Sequence, residues 1–399
     1  MWKSFRIGSV FGIPLKLDIT FLLILPVFAW IIGAQIEVMV EILNQAFDAG
    51  IDPAVVSEGN RKWILGFISA LGLFVGVVLH ELGHSLTARR YGYPIESITL
   101  WLLGGVASFR EMPEDWRQEL TVAIAGPIVS VAVGIISYGL FIATPVLRDS
   151  FGTVTIEGAL FVFSYLAILN VFLAIFNMIP AFPMDGGRVL RALLSRNRPY
   201  AKATQQAASI GRMFAIFFGI FGLLAFNVIL IAIAFFIYIA ASGEERHVLL
   251  KAAFEGVTIE DIMTPMERLR TVEPHIGIDE LMQRMFSERH TGYPVMSNGR
   301  LVGMVTLSDA QQAQRSDQQN LTVGDVMTTN LETVTAETDV MEAIDRMQRE
   351  KIGRLLVVDN DHLLGLVSRT DVMTALEILQ QSEPMAFARP ESATKRPQL

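Results

Sequence analysis

Three residues inside an otherwise apolar stretch have the types and spacing to do chemistry together: His80, Glu81 and His84, in the order H-E-L-G-H. On an α-helix, positions i and i+4 lie on one face. His80 and His84 can therefore offer two imidazoles to one metal ion. Glu81 is turned by about 100° from His80 at 3.6 residues per turn. It stands beside the metal without having to ligate it. Two histidines and an offset carboxylate are the parts of a zinc peptidase site. An H-x-x-x-H pair also arises by chance in soluble helices. Here the stretch is long and apolar enough to cross a membrane, where ionisable side chains are costly and mark function.

Zinc held by two histidines needs a third protein ligand and an open position for water. The chain has no cysteine, so thiolates are excluded and the remaining ligand must be His or a carboxylate. The best candidate is Asp185, in N-M-I-P-A-F-P-M-D-G-G-R at 177–188. Pro180 and Pro183 stop or bend a helix, and Gly186-Gly187 allows sharp turns. Asp185 is thereby presented on irregular backbone, which at membrane depth must line protein or a cavity. Seen alone, Asp185 would read as a turn former before Gly-Gly, and Asn177 as a helix–helix hydrogen-bonding residue.

The elements that position these residues are membrane spans. The 399 residues are 52% hydrophobic, too apolar for one soluble globule and in keeping with a membrane protein that has a soluble part. Residues 1–256 hold 18 Lys+Arg against 18 Asp+Glu, and residues 257–399 hold 14 against 22, so the whole net charge of −8 lies in the second part. A domain boundary is expected near 256. The acidic balance argues against nucleic-acid binding. No cleavable signal peptide is expected, since the first apolar run lacks a small-residue cleavage site.

Spans are expected at 17–34, 63–90, 118–145 and 157–180, with two more in 205–242 turning at Asn227, and an acidic loop at 35–62. Glu244, Glu245 and Arg246 should mark the exit. Basic residues at the N-terminus, at Arg89-Arg90 and over 188–202 place those segments in the cytoplasm by the positive-inside rule. Both termini are then cytoplasmic. His84 and the 177–187 segment fall at the same membrane depth, while Asp149 and Glu157 belong to the other side. The run at 96–109, ESITLWLLGGVASF, is too short to span. It reads as a re-entrant β-hairpin beside the metal, whose unpaired edge could accept an extended peptide by strand addition.

H-E-L-G-H at 80–84, G-G-V-A at 104–107, E-L-T-V-A-I-A-G-P at 119–127 and N-M-I-P-A-F-P-M-D-G-G at 177–187 together resemble the site-2 protease family of intramembrane zinc metalloproteases. The family usually has Leu where this chain has Met184. The resemblance implies one zinc ion bound by His80, His84 and Asp185, with Glu81 as catalytic base. It implies that Asn177 helps hold the substrate or its oxyanion, and that Gly126 and Pro127 serve packing. The implied substrate is a single-span membrane protein in the lipid bilayer, of the anti-sigma-factor or signal-peptide-remnant type.

The second part contains a repeat. D-I-M-T at 261–264 returns as D-V-M-T at 325–328, and G-M-V-T-L-S-D at 303–309 returns as G-L-V-S-R-T-D at 365–371. Each copy reads as strand, helix, strand, strand, helix, with Leu355–Val358 a buried strand. This resembles a tandem pair of CBS domains. The resemblance implies that Thr306 and Asp309, and Ser368 and Asp371, contact the ribose of ATP, ADP or AMP. The same residues would serve equally as helix caps. It also implies a homodimer.

The expected fold is a membrane α-helical core of six transmembrane helices with a re-entrant β-hairpin, plus a soluble α/β tandem CBS module. The expected domains are a transmembrane metalloprotease at 1–245, CBS domains at 257–315 and 321–380, and a disordered tail at 381–399. The competing reading is a CBS-gated transporter or channel with a structural metal. It calls for paired broken helices and gives Glu81 no task.

Overall fold

The computed structural model describes residues 4–102, 104–109, 113–315, 320–360 and 362–381. Beyond Gln381, the tail expected to be disordered lies outside the described residues. The chain divides into two units, Met1–Arg246 and His247–Leu399.

The first unit opens with strands β1 (Ser4–Val10) and β2 (Ile13–Asp18), then helices α1 (Ile19–Ala34), α2 (Ile36–Phe47), α3 (Pro53–Ser57) and α4 (Arg61–Arg90). Strands β3 (Ile95–Trp101) and β4 (Gly104–Phe109) follow. Helices follow: α5 (Trp116–Ala143), α6 (Thr153–Asn177), α7 (Asp185–Ser195), α8 (Tyr200–Leu224) and α9 (Val228–Ala253), the last turns of which belong to the second unit. α4, α5, α6, α8 and α9 are long and apolar enough to cross a membrane. α1 and α2, bent by 68° at their junction, would make a sixth span if counted together.

α4 sits among its neighbours through small residues. A side chain at Gly76 would meet Asn170 of α6, and one at Gly83 would meet Ala125 and Val129 of α5. Small residues are what let helix backbones approach closely where lipid offers no hydrophobic drive. α5 starts where Asp115 accepts from the backbone N–H groups of Arg117 and Gln118, at 3.0 and 3.1 Å, a standard N-cap. Asn227 caps α9 by accepting from Leu230 N at 3.0 Å, at the turn the sequence marks.

One expectation needs correction and two are extended. Residues 36–47 are helical, not loop: Ile36, Val40 and Leu43 are buried in one core while Glu37 and Glu41 face outward. That is an amphipathic 3.6 period whose acidic face masked it. α9 runs on to Ala253, so the charged residues at which the membrane exit is expected, Glu244–Arg246, lie within the helix. The hairpin β3–β4 is present but does not stand alone. β1 and β2 extend it to a sheet of order β1-β2-β3-β4. β2 runs parallel to β3, with Leu15 opposite Ile98 and Leu17 opposite Leu100. β3 therefore has a partner on both sides, and the outer strands of the sheet are β1 and β4. Ile13 and Ile98 pack on Leu82 of α4, which seats the sheet on the helix that carries the histidines.

The second unit contains α10 (Ile259–Ile262), β5 (Thr264–Pro265), α11 (Ile278–Glu288), β6 (Gly292–Ser297), β7 (Arg300–Thr306) and α12 (Leu307–Arg315). The second copy contributes α13 (Val323–Val326), β8 (Thr333–Val334), α14 (Val340–Arg349), β9 (Arg354–Asp359), β10 (His362–Ser368) and α15 (Arg369–Gln381). The D-x-M-T segments are exchanged between copies. β5 pairs with β10, and Thr328 bridges Met304 on β7. Both short helices begin with a capping box, Thr258 with Asp261 and Thr322 with Asp325. The leading strand of the first copy is reduced to a bridge between Val272 and Val295.

Candidate metal centre

His80 and His84 lie one turn apart on α4, 4% and 3% exposed. Their Nε2 atoms are 3.1 Å apart. Asp185, 7% exposed, is the first residue of α7, and its Oδ2 is 3.2 Å from His80 Nε2 and 3.1 Å from His84 Nε2. Residues 101 to 105 positions apart in sequence thus converge on one point.

The hook between α6 and α7 explains how Asp185 gets there. α6 ends at Asn177, and Met184 N donates to Ala181 O at 3.0 Å, turning the chain back. A Cβ at Gly186 would strike the carbonyls of Met178 and Ile179, and one at Gly187 would lie 2.7 Å from Ala181 C and Phe182 N. Only glycine lets the first turn of α7 press against the backbone of its own hook.

Each imidazole is held from behind by α5. His84 Nδ1 donates to Val122 O at 2.7 Å. A carbonyl can only accept, so Nδ1 carries a proton, and Nε2 is the atom that a neutral ring would offer to a metal at the centre. His80 Nδ1 is 2.8 Å from Ser130 Oγ. Gly126, between them on α5, lies flat under the His84 ring. Neither Ser130 nor the Val122 carbonyl was legible as functional in the sequence. The one available signal was a serine inside an apolar run.

The three ligand atoms fit a metal ion. One ligand atom from each of His80, His84 and Asp185 can be chosen so that the three lie within 4.8 Å of one another. Ligands about 2.0–2.1 Å from a tetrahedral zinc are about 3.3 Å from each other, close to the separations found. Two imidazole lone pairs facing one carboxylate oxygen repel unless a cation lies between them.

Glu81 is turned away from this triangle toward the sheet. Its Oε2 accepts from Ala107 N of β4 at 3.3 Å. A Cβ at Gly105 would lie 2.7 Å from Glu81 Cγ, so the second glycine of G-G-V-A makes room for the carboxylate. Asn177 ends α6, with Nδ2 donating to Leu173 O at 3.0 Å. The residues singled out in the CBS module form local pairs. Asp309 Oδ2 accepts from Thr306 N and Oγ1 at 2.8 and 2.7 Å, and Asp371 Oδ2 accepts from Ser368 N and Oγ at 2.8 and 2.7 Å. Both pairs sit where α12 and α15 begin.

The model of peptidase family M50 matches residues 68–153 and 142–219, and that of the CBS domain matches 259–315 and 323–378. A zinc metalloprotease of Methanocaldococcus jannaschii is 38% identical over 382 residues, covering 96% of this chain and 98% of the relative. Rip3 of Mycobacterium tuberculosis, also named as a zinc metalloprotease, is 29% identical over 412 residues, covering 99% of each. Among solved structures, a site-2 protease from Methanocaldococcus jannaschii shares 36% identity with a TM-score of 0.40, covering 61% of this chain and 96% of that one. The chain belongs to peptidase family M50, the site-2 protease family of zinc metalloproteases, and carries a tandem pair of CBS domains. Its apolar helices and its family make it a multi-pass membrane protein.

Proposed function

We propose that this protein is an intramembrane zinc endopeptidase that cuts the membrane-spanning segment of single-span proteins near the cytoplasmic side. The observation that carries this reading is the convergence of His80, His84 and Asp185, from two helices remote in sequence, on one buried point. These three hold one zinc ion per chain. Zinc supplies Lewis-acid chemistry there, lowering the pKa of a water to about 7 and polarising a carbonyl.

Glu81 takes the proton of the attacking water and hands it to the leaving amine. Ala107 N–H, which points from β4 to Glu81, keeps that carboxylate oriented. Asn177 offers an amide N–H to the oxyanion, after exchanging its hydrogen bond to Leu173 O for the substrate. A substrate helix satisfies its own amides, so it must unwind before attack. The outer edge of β4 offers it replacement partners by strand addition, and because Glu81 already meets that edge, a strand paired there is delivered to the base. β3 and β4 form a re-entrant element in a six-span core, with both termini in the cytoplasm, as the basic residues at Arg89, Arg90 and over 188–202 favour.

Substrates of the anti-sigma-factor or signal-peptide-remnant type fit this reading. Adenine nucleotide binding at Thr306–Asp309 and Ser368–Asp371 regulates access, and the CBS modules pair two chains in a homodimer. Calorimetry with ATP, ADP and AMP tests the regulatory part, and the absence of heat with all three ends it. The transporter reading gives no task to three converging ligand atoms with an adjacent carboxylate, and family membership goes against it. The catalytic part is tested by expressing Glu81→Gln in cells. Full-length single-span proteins should co-purify with that variant and be cleaved by the unaltered chain. A Glu81→Gln protein that still cuts them removes Glu81 from its role.

A further inference from the structure

All three proposed zinc ligands are referred to one stripe of one helix. On α5, Val122 O holds His84 and Ser130 Oγ meets His80. Glu119 lies on the same stripe, since 119, 122, 126 and 130 recur at three- and four-residue steps. Glu119 reaches Arg191 of α7. Arg191 Nε donates to Glu119 Oε1 at 2.7 Å, and Nη2 lies 2.6 Å from the same oxygen. Both side chains are 1% exposed. The remaining arm of the guanidinium, Nη1, meets Glu244 Oε1 of α9 at 2.5 Å.

The same guanidinium lies over the ring of Phe182, 5.0 Å from its centroid, and over that of Tyr200 at 4.8 Å. Phe182 precedes Asp185 by three residues. Arg191 follows it by six, about 9 Å along the helix axis. Arg191 therefore ties both arms of the hook that carries Asp185 to α5. A buried guanidinium is costly unless its donors are used, and apolar side chains could join α5 and α7 without that cost. What apolar packing lacks is direction. A planar fork bonded to fixed carboxylates sets the rotation and height of α7.

We infer that Arg191 is a positioning residue: through Glu119 it registers Asp185 against the same stripe of α5 that registers the two histidines. This rests on the reading of His80, His84 and Asp185 as zinc ligands. Arg191 neither touches the metal nor the reacting atoms. It fixes where the third ligand stands relative to the other two.

The test uses the full chain in detergent, stripped of metal and purified as a folded species. Zinc affinity is measured by competition with a chromogenic chelator. Cobalt(II) is then substituted, because its visible d–d bands report coordination number and geometry. Asp185→Ala serves as reference and Arg148→Met as control. The control breaks another ion pair of this unit, to Glu157 at 3.6 Å, away from the three ligands. Arg191→Met should weaken zinc binding by about 10- to 100-fold, the range for groups that orient ligands, and should shift the cobalt bands. Arg191→Lys keeps the charge but not the fork and should fall between. Arg148→Met should alter neither reading.

Wild-type affinity and an unshifted cobalt spectrum in folded Arg191→Met overturn the inference. If that variant yields no folded protein, Arg191→Lys decides, and an unshifted spectrum there overturns it equally. The ligand reading fails in a different way. It falls if the unaltered chain does not take up one zinc per chain, or if Asp185→Ala binds zinc as tightly as the unaltered chain.

Discussion

Gly126→Ala adds one methyl group to the wall of the metal centre. A Cβ at this position would meet the His84 ring, with Cε1 at 2.6 Å and Cδ2 at 2.7 Å. Carbon atoms rest about 3.5–4.0 Å apart, so the ring must withdraw by about 1 Å. Its freedom to do so is limited, because Nδ1 is tied to Val122 O at 2.7 Å on the same helix. Zinc–ligand distances hold to within about 0.2 Å. A 1 Å displacement therefore takes His84 out of the ligand set. Zinc affinity should fall by about 100-fold or more, which is about 2.8 kcal/mol at 1.4 kcal/mol per factor of ten. The assay is chelator competition on the full chain in detergent. Gly139→Ala on the same helix is the control, since among the described residues nothing lies within 4 Å of a Cβ there. Wild-type zinc affinity in a folded Gly126→Ala protein would refute the close seating of His84 on α5.

Three further outcomes follow from the same geometry. Glu81→Gln should keep its zinc and lose cleavage of a model membrane substrate by about 10²- to 10⁴-fold, the usual contribution of a general base, read as product formed per unit time at measured zinc occupancy. Gly105→Ala should push the Glu81 side chain off β4 and slow cleavage while leaving zinc content unchanged, so the two measurements should separate in that variant. Asp325 is held below the ordinary carboxylate range by hydrogen bonds from the Thr322 hydroxyl and backbone N–H. A depressed folded value means its contribution to stability is complete above the unfolded pKa of about 3.9 and is lost as pH falls through the folded value. Asp325→Asn should therefore weaken the unfolding dependence on pH below about 4, as followed by circular dichroism during acid titration, and a slope identical to the unaltered chain would count against the capping box.

What the sequence made legible was what depends on local spacing. His80 and His84 at i, i+4 need only a helix to share a face. The paired prolines and glycines around Asp185 announce a hook before any contact is known. The D-x-M-T repeat marked the doubled module. What it hid depends on long-range pairing. β1 and β2 acquire meaning only through the parallel register of β2 with β3, although the alternation of Ile13, Leu15 and Leu17 was there to be read. The acidic residues of α2 disguised a helix whose other face is core. Ser130 gave no sign of its partner, and Glu119 and Arg191, which read as part of a family motif and as one of the basic residues over 188–202, gave none of theirs, because a polar residue on a helix does not name what it pairs with. Their partners lie 50 and 72 positions away.

The central claim is that one zinc ion is gripped jointly by α4 and the start of α7. X-ray absorption at the zinc edge on the purified full chain tests it most directly. The expected spectrum shows nitrogen and oxygen neighbours at about 2.0–2.1 Å with the outer-shell scattering of two imidazoles, and it loses an oxygen neighbour in Asp185→Ala. A protein that cleaves its substrate without metal, or a zinc shell unchanged by Asp185→Ala, would contradict it.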